Sequence, residues 1–265
     1  MPVANPSHEV SVEIDGHIAT VEMHRPPHNF FDVDLVRAIA DAYHALDQEP
    51  DVRAIILAAE GRSFCAGAAL GGDPTPEDEA EAPRLTGNPH LYAQGARMME
   101  AETPVVAAVQ GAAIGGGLGL ALTADFRVAA PEARFASNFS RLGFHHGFGL
   151  TATLPRIVGP QKALDLLYTG RRVRAEEALE IGLCDALVPL EELRDKAREM
   201  AEEIAMSAPL AVRSIRRTMR RGLAEAFRQA TDHEQIEQDW LRQTNDFREG
   251  VRAMAERRTP DFTAS

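Results

Sequence analysis

Two short glycine-rich segments carry the residues best suited to chemistry in this chain. Residues 65–69 (CAGAA) follow an apolar run at 52–59, and residues 115–117 (GGG) follow another at 104–109. Side chains this small let a ligand approach the backbone, so peptide N–H groups can donate hydrogen bonds to it. If the second turn opens a helix, its first N–H groups lack intrahelical acceptors. Two such turns side by side would form an oxyanion hole for a carbonyl gaining negative charge.

Other uses of these turns are less favoured. A cluster of glycines alone is most often a tight turn. A phosphate loop is disfavoured because no Gly-Lys-Ser/Thr follows, and residues 117–119 (GLG) lack the third glycine of a dinucleotide fingerprint. Cys65 is a weak candidate nucleophile, because no helix start or basic neighbour obviously lowers its pKa.

The surrounding pattern predicts an α/β core. Alternating apolar residues at 10–14 and 18–23 flank Asp15-Gly16, which indicates a β-hairpin. From Asp32 the apolar spacing becomes helical, and the run at 52–59 suits a strand covered on both faces. This strand-helix-strand order favours parallel pairing. The pattern predicts further strands at 104–109, 126–129 and 134–136, and helices at 176–181 and 190–206.

Two segments outside this core each allow more than one interpretation. Residues 71–89 are acidic and rich in proline, which predicts a solvated loop or, less favoured, a lid over a site. Beyond Pro209, five arginines alternate with apolar residues on an amphipathic helix. We expect their basic face to be solvated or to contact another subunit. A boundary near residue 205 would separate the core from a helical C-terminal part.

The composition excludes several classes of protein. The 265 residues hold 28 Lys and Arg against 40 Asp and Glu, a formal net charge of −12. A field of that sign repels phosphate backbones, so nucleic acid is not an expected partner. The 2 cysteines form no CxxC pair, and no long apolar span or secretory signal is visible. We therefore expect a cytoplasmic protein with no membrane partner and no metal.

Several motifs in order resemble the enoyl-CoA hydratase/isomerase (crotonase) superfamily, along nearly the whole chain. They are Arg25-Pro26 with Asn29, GRSFCAGA at 61–68, the strand-turn-helix at 104–120 ending its turn in GGG, Asp125-Phe126-Arg127, the segment 176–188 and the closing segment 249–262. The resemblance implies a spiral of repeated β-β-α units over residues 1–205 and a C-terminal helical oligomerisation region over 206–265. It also implies a homotrimer or a dimer of trimers.

The resemblance further implies an acyl-CoA thioester as ligand, with coenzyme A entering as part of the substrate and no separate cofactor. The N–H groups of Ala68 and Gly116 would hold the thioester oxygen. The residues implied to lie along the CoA moiety are Arg25 and the loop from Ala66 through Ala69 to Leu70. The shared chemistry of the superfamily is stabilisation of a thioester enolate or related oxyanion.

This chain departs from the family pattern at two positions. Hydratases of the superfamily use two glutamates, and the matching positions here are Gly119 and Phe139, neither of which can move a proton. Each general acid or base contributes about 10²–10⁴-fold, so ordinary hydration is doubtful. An aspartate that often follows the Ala-Gly-Ala of the loop is also replaced, by Ala69. We hypothesise that Gly119 makes room for a bulkier acyl group.

Histidines are the nearest candidates to replace the missing acid and base. His145 and His146 lie in a segment that, in this superfamily, borders the acyl pocket, and histidine has a suitable ordinary pKa. A structural role is the competing interpretation, with one histidine capping the next helix and the other exposed. His90 and Tyr92 are weaker candidates.

Three functions remain open from the sequence. The first is a crotonase-type enzyme that uses oxyanion stabilisation with a different acid or base, or a bound water, for isomerisation, hydrolysis, decarboxylation or weak hydration. The second is a non-catalytic acyl-CoA-binding protein on the same fold. The third is a true enoyl-CoA hydratase that uses another acid or base.

Overall fold

Two β-sheets organise the chain in the computed structural model, which describes residues 7–68 and 89–265. The larger sheet has the strand order β1-β2-β3-β4-β6-β9, and the smaller has the order β5-β7-β8. The strands are β1 (Val10–Asp15), β2 (Ile18–Met23), β3 (Ala54–Ala59), β4 (Val105–Val109), β5 (Ala112–Ile114), β6 (Phe126–Ala129), β7 (Arg134–Ala136), β8 (Val173–Arg174) and β9 (Ala186–Leu187).

Helices cover both faces of the larger sheet. They are α1 (Val33–Asp47), α2 (Pro89–Glu100), α3 (Gly116–Ala121), α4 (Leu150–Val158), α5 (Pro160–Thr169), α6 (Ala175–Glu180), α7 (Leu193–Ala205), α8 (Pro209–Met219), α9 (Leu223–Leu241) and α10 (Asn245–Ala255). A 3-10 helix spans Asn138–Leu142. The side chain of Asp32 caps α1 by accepting the N–H of Leu35, which satisfies one of the free donors at its start.

Parallel pairing follows from the burial of the central strands. Strands β1 and β2 form the antiparallel hairpin expected from Asp15-Gly16, whereas β2, β3, β4, β6 and β9 pair in parallel. Every residue of β3 and β4 is buried, because one face packs against the large core with α1 and the other against α7. The two glycine-rich turns follow β3 of the larger sheet and β5 of the smaller sheet.

The predicted orientation of the basic helix is wrong for three of its five arginines, whereas Arg217 and Arg221 are exposed as predicted. Arg216 of α8 and Arg220, just after it, point inward, because the half-buried Asp125 lies beneath them. The Nε of Arg216 lies 2.8 Å and the Nη1 of Arg220 lies 2.7 Å from Asp125 carboxylate oxygens. Arg213 likewise donates to the carbonyl of Asp47. Pairing this half-buried carboxylate outweighs the usual preference for apolar residues facing the core, so Leu210, Ile215 and Met219 are exposed instead.

Most predicted elements are present in the structure. The strands at 126–129 and 134–136 and the helix opened by the GGG turn are confirmed, and the α/β core agrees with the expected fold class. The predicted loop or lid at 71–89 lies almost wholly outside the described residues. The domain boundary near residue 205 stays a prediction. Within the described chain, no helix combines the length and apolar character needed to span a bilayer.

Candidate active site

The two glycine-rich turns lie against each other. The N–H of Cys65 donates to the carbonyl of Ala112 at 2.9 Å, and the N–H of Ile114 donates to the carbonyl of Cys65 at 3.0 Å. Gly67 has a φ of +86°, and a Cβ there would lie 2.8 Å from the carbonyl oxygen of Ile114. A Cβ on Gly117 would collide with the carbonyl of Cys65. The absence of side chains at these glycines is therefore what lets the two backbones approach.

A cavity of about 450 Å³ opens against both turns. Ala66, Gly67 and Ala68 line it from the first turn, and Gly115 and Gly116 from the second. Gly116 is the first residue of α3. Within the described residues, neither the N–H of Ala68 nor that of Gly116 donates to a backbone or side-chain acceptor. The structure thus brings both predicted oxyanion-hole residues to one cavity with their donors free.

Aromatic rings form much of the cavity wall. The rings of Phe31 and Phe148 lie 5.1 Å apart, and those of Phe139 and Phe144 lie 5.2 Å apart. Phe148 fills the space beside Gly119: a Cβ on Gly119 would lie 2.9 Å from the Cβ, Cδ1 and carbonyl oxygen of Phe148. The hypothesis that Gly119 makes room for a larger acyl group is therefore wrong, because a buried ring already occupies that room.

The described lining of the cavity contains no group suited to proton transfer near neutral pH. Among its described lining residues there is no carboxylate, imidazole or thiol, and Phe139 stands where the second glutamate is expected. The polar side chains of the lining are Tyr92, Asn138, Arg172 and Gln238. Only the first of these was a candidate from the sequence. Arg172 and Gln238 are missed because no motif surrounds them in sequence. Asn138 is missed although it precedes Phe139, because its residue type alone does not indicate a ligand.

Tyr92 is held in a hydrogen-bond network. Its hydroxyl donates to Oε1 of Gln238 at 3.0 Å, and Nε2 of Gln238 donates to the carbonyl of His145 at 3.0 Å. Arg242 also donates to Oε1 of Gln238, at 3.1 Å. Burial raises the pKa of Tyr92 well above its usual range, which makes it a poor acid near neutral pH. The side chain of His90, its companion candidate, lies outside the described residues.

The structure does not bring His145 and His146 to the two turns. Their segment reaches the 450 Å³ cavity through Gly147 and Phe148, but both imidazoles line a second cavity of about 730 Å³. The rings stack 4.1 Å apart, and Nδ1 of His145 donates to the carbonyl of His146 at 2.8 Å. The geometry therefore favours the structural interpretation of both histidines over an acid/base role.

A buried carboxylate anchors this segment. Glu234 of α9 is fully buried and accepts the N–H of Gly149 at 2.8 Å, the N–H of Thr151 at 3.0 Å and the hydroxyl of Thr151 at 2.7 Å. Nε2 of His146 lies 2.8 Å from the same hydroxyl oxygen. Burial lowers the pKa of His146 to about 3 and raises the pKa of Glu234. His146 is thus neutral at pH 7 and helps to fix the start of α4.

Three other predicted residues are placed as follows. Arg25 does not line the 450 Å³ cavity: its guanidinium pairs with Glu9 and, at 2.8 Å, with Asp32, and these partners raise its pKa. Ala69 and Leu70 lie outside the described residues. Cys65 is fully buried, which raises the pKa of its thiol to about 12 and removes it as a nucleophile. No grouping of three or more His, Cys, Asp or Glu fit for a metal ion occurs in the described part of the chain.

Comparison with known proteins identifies the family. The family model described as enoyl-CoA hydratase/isomerase matches residues 13–265, nearly the whole chain. The chain belongs to the enoyl-CoA hydratase/isomerase family. It is therefore a member of the crotonase superfamily, as its motifs indicated, and of a family of acyl-CoA-processing enzymes.

Individual relatives of this enoyl-CoA hydratase/isomerase family member agree with that assignment. The chain is 33% identical over 256 residues to an (E)-benzylidenesuccinyl-CoA hydratase from Thauera aromatica, covering 96% of this chain and 98% of that protein. It is 34% identical over 252 residues to a carnitinyl-CoA dehydratase from Salmonella arizonae, covering 94% and 95%. A solved enoyl-CoA hydratase/isomerase from Pseudoalteromonas atlantica is 29% identical, with a TM-score of 0.82 over 96% of this chain and 100% of that one.

Proposed function

We propose that the protein binds an acyl-CoA thioester with its carbonyl oxygen between the N–H groups of Ala68 and Gly116, and stabilises the thioester enolate or a related oxyanion. The observation that carries this proposal is the pair of free backbone donors on one largely apolar cavity. An aimed donor of this kind contributes about 2.7–4 kcal/mol in the transition state. An apolar surround strengthens both hydrogen bonds, because little water competes for them.

The composition of the cavity limits the reaction. With Gly119 and Phe139 at the glutamate positions, and no carboxylate or imidazole among the described lining residues, ordinary two-glutamate hydration has no proton-transfer groups. We therefore propose a crotonase-type lyase or isomerase that depends on oxyanion stabilisation, with a bound water carrying the proton. Relatives named as a hydratase and a dehydratase support the lyase class.

A second function is favoured by the same observation. A non-catalytic acyl-CoA-binding protein needs the two donors and the cavity but no proton-transfer group. The true hydratase using another acid or base is the third alternative, and it requires a group outside the described lining of the cavity.

Calorimetric titration with acyl-CoA thioesters and turnover assays over the same panel separate these functions. Crotonyl-CoA tests hydration through loss of its conjugated absorbance, and (E)-benzylidenesuccinyl-CoA tests the substrate of the Thauera relative. We expect micromolar binding, with crotonyl-CoA hydration far below that of a two-glutamate hydratase. Binding without turnover of any thioester would establish the second function. Absence of thioester binding would overturn the proposal.

A matched pair of glycine variants tests the two donors themselves. Gly67→Ala strains a residue at φ +86° and pushes a methyl against the carbonyl of Ile114, which shifts the adjoining N–H of Ala68. Gly222→Ala strains a residue at φ +77° where nothing lies within 4 Å. Both carry a similar backbone cost, about 1 kcal/mol or more. We expect Gly67→Ala to lose at least about tenfold in thioester affinity or turnover, and Gly222→Ala to lose none.

We also propose that the protein acts in the cytoplasm as a homotrimer or dimer of trimers, with no cofactor beyond the coenzyme A of its substrate. Exposed apolar side chains on α8 support subunit contact, because Leu210 and Met219 are 81% and 71% exposed in the isolated chain. Light scattering after size-exclusion chromatography tests the assembly. A monomer at micromolar concentration would contradict it.

A further inference from the structure

Two polar side chains on the cavity wall have no partner among the residues that the structure describes. Arg172 and Asn138 line the 450 Å³ cavity, and neither side chain makes a hydrogen bond or ion pair with any residue that the structure describes. The polar side chains around them, in contrast, already have partners. Tyr92 and Gln238 are hydrogen-bonded to each other. Arg171 forms salt bridges with Asp165 at 2.9 Å and with Glu177 at 2.6 Å. The free pair is thus the part of the wall able to bind a polar group of a ligand.

The fold places the two side chains close to the proposed oxyanion hole. The Oδ1 of Asn138 would lie 3.3 Å from a Cβ on Gly115, the residue directly before Gly116. The Cα of Asn138 would lie 3.3 Å from a Cβ on Gly170, and Arg172 follows two residues later. Asn138 therefore lies beside the second turn, and Arg172 lines the same cavity from the segment that follows Gly170.

The positive charge on the cavity wall favours binding of an anion. Arg172 is the one charged side chain among the described lining residues, although the whole protein carries a net charge of −12. A guanidinium in a fork geometry matches a carboxylate, and an amide N–H₂ donates to the same group. An exposed cation without a described partner, on a wall whose other described residues carry no charge, is thus complementary to a carboxylate that arrives with the substrate.

We propose that Arg172 and Asn138 form a carboxylate subsite, so the preferred acyl group carries a second carboxyl group besides the thioester. This inference rests on the proposed function, because the thioester must first occupy the two turns. The phosphates of coenzyme A are the other source of negative charge. The whole pantetheine arm separates them from the thioester, whereas Asn138 adjoins the turn that would hold its carbonyl.

Paired ligands and paired variants test the subsite. Glutaryl-CoA and pentanoyl-CoA have acyl chains of equal length and differ in the terminal carboxylate. Their affinities are measured by calorimetry for the wild-type protein, Arg172→Ala, Asn138→Ala and Arg174→Ala. Arg174 is the matched control, since it is an exposed arginine without a described partner that does not line the cavity. Circular dichroism checks that each variant is folded.

We expect the wild-type protein to bind glutaryl-CoA at least about tenfold more tightly than pentanoyl-CoA, as a charge-assisted hydrogen bond to an exposed arginine gives. Arg172→Ala should abolish this ratio, Asn138→Ala should reduce it, and Arg174→Ala should retain it. Equal weakening of both ligands by Arg172→Ala would overturn the inference and assign the arginine to the phosphates of coenzyme A. A wild-type ratio near one would also overturn it, with the proposed function intact. If neither ligand binds, the proposed function fails first.

Discussion

Removing the carboxylate of Glu234 tests how the wall of the cavity is held in place. This side chain is fully buried and accepts three hydrogen bonds, from the backbone of Gly149 and from the backbone and hydroxyl of Thr151. Phe148, next in the chain to Gly149, has a φ of +57°, so the segment needs support from its surroundings. Glu234 thereby fixes the ring that closes the space beside Gly119.

The expected magnitude follows from the three donors. Each buried donor left without an acceptor costs about 1–3 kcal/mol, and water entering the space left by the side chain offsets part of this. Glu234→Ala should therefore lower the free energy of unfolding by about 3–5 kcal/mol. Glu234→Gln keeps one acceptor oxygen but turns an N–H₂ group toward a donor, and should cost about 1–2 kcal/mol. Glu225→Gln, an exposed change on the same helix, should stay within about 0.5 kcal/mol.

The pH dependence has a definite sign. Burial raises the pKa of Glu234 above its ordinary value of 4.5, so the folded protein holds this proton more tightly than the unfolded chain. The stability contributed by the neutral acid is complete below pH 4.5 and is lost as the pH rises through the folded pKa. In urea unfolding from pH 4.5 to 8, the loss of unfolding free energy caused by Glu234→Gln should therefore be larger at pH 4.5 than at pH 8. A cost that grows toward pH 8 would refute this, because the three hydrogen bonds would then outweigh desolvation.

Three further outcomes follow from the contacts described above. Gly119→Glu should not restore crotonyl-CoA hydration and should lower the melting temperature, because Phe148 occupies the space; a gain of hydratase activity would contradict this. Asp125→Asn should lower the free energy of unfolding by about 3–5 kcal/mol, because it leaves Arg216 and Arg220 without their carboxylate. The surface variant Asp34→Asn should lower it by less than about 1 kcal/mol. Similar losses for the two variants would contradict this prediction. The pKa of His146, lowered from 6.5 to about 3, predicts that stability falls as the pH drops through that range, and His146→Gln should flatten the fall in urea titrations.

Local patterns in the sequence predict the scaffold well. The Asp15-Gly16 hairpin, the helix capped by Asp32 and the buried parallel strands each depend on neighbouring residues or on a short period. The closeness of Ala68 and Gly116 was implied by the family resemblance and by two similar turns. It is realised because Gly67 and Gly117 let the turns touch.

Long-range pairing is what the sequence cannot show. The arginines beyond Pro209 form a basic face by periodicity, yet Arg216 and Arg220 turn inward to Asp125, which lies 91 residues before Arg216. The orientation of the histidine segment depends similarly on Glu234, which is 85 residues from Gly149. The cavity collects Arg172 and Asn138 from separate segments. Each of these features depends on a tertiary contact with no counterpart in local sequence.

The vibrational frequency of a bound thioester carbonyl tests the central claim most directly. Butyryl-CoA labelled with ¹³C at its carbonyl is bound to the protein, and its C=O stretch is compared with that of the ligand in water by isotope-edited infrared spectroscopy. Two aimed N–H donors in an apolar site polarise the carbonyl more than water does, so the band should move to lower frequency. Gly67→Ala should reverse most of this shift while Gly222→Ala retains it. A bound carbonyl at or above its frequency in water would contradict the oxyanion hole at Ala68 and Gly116.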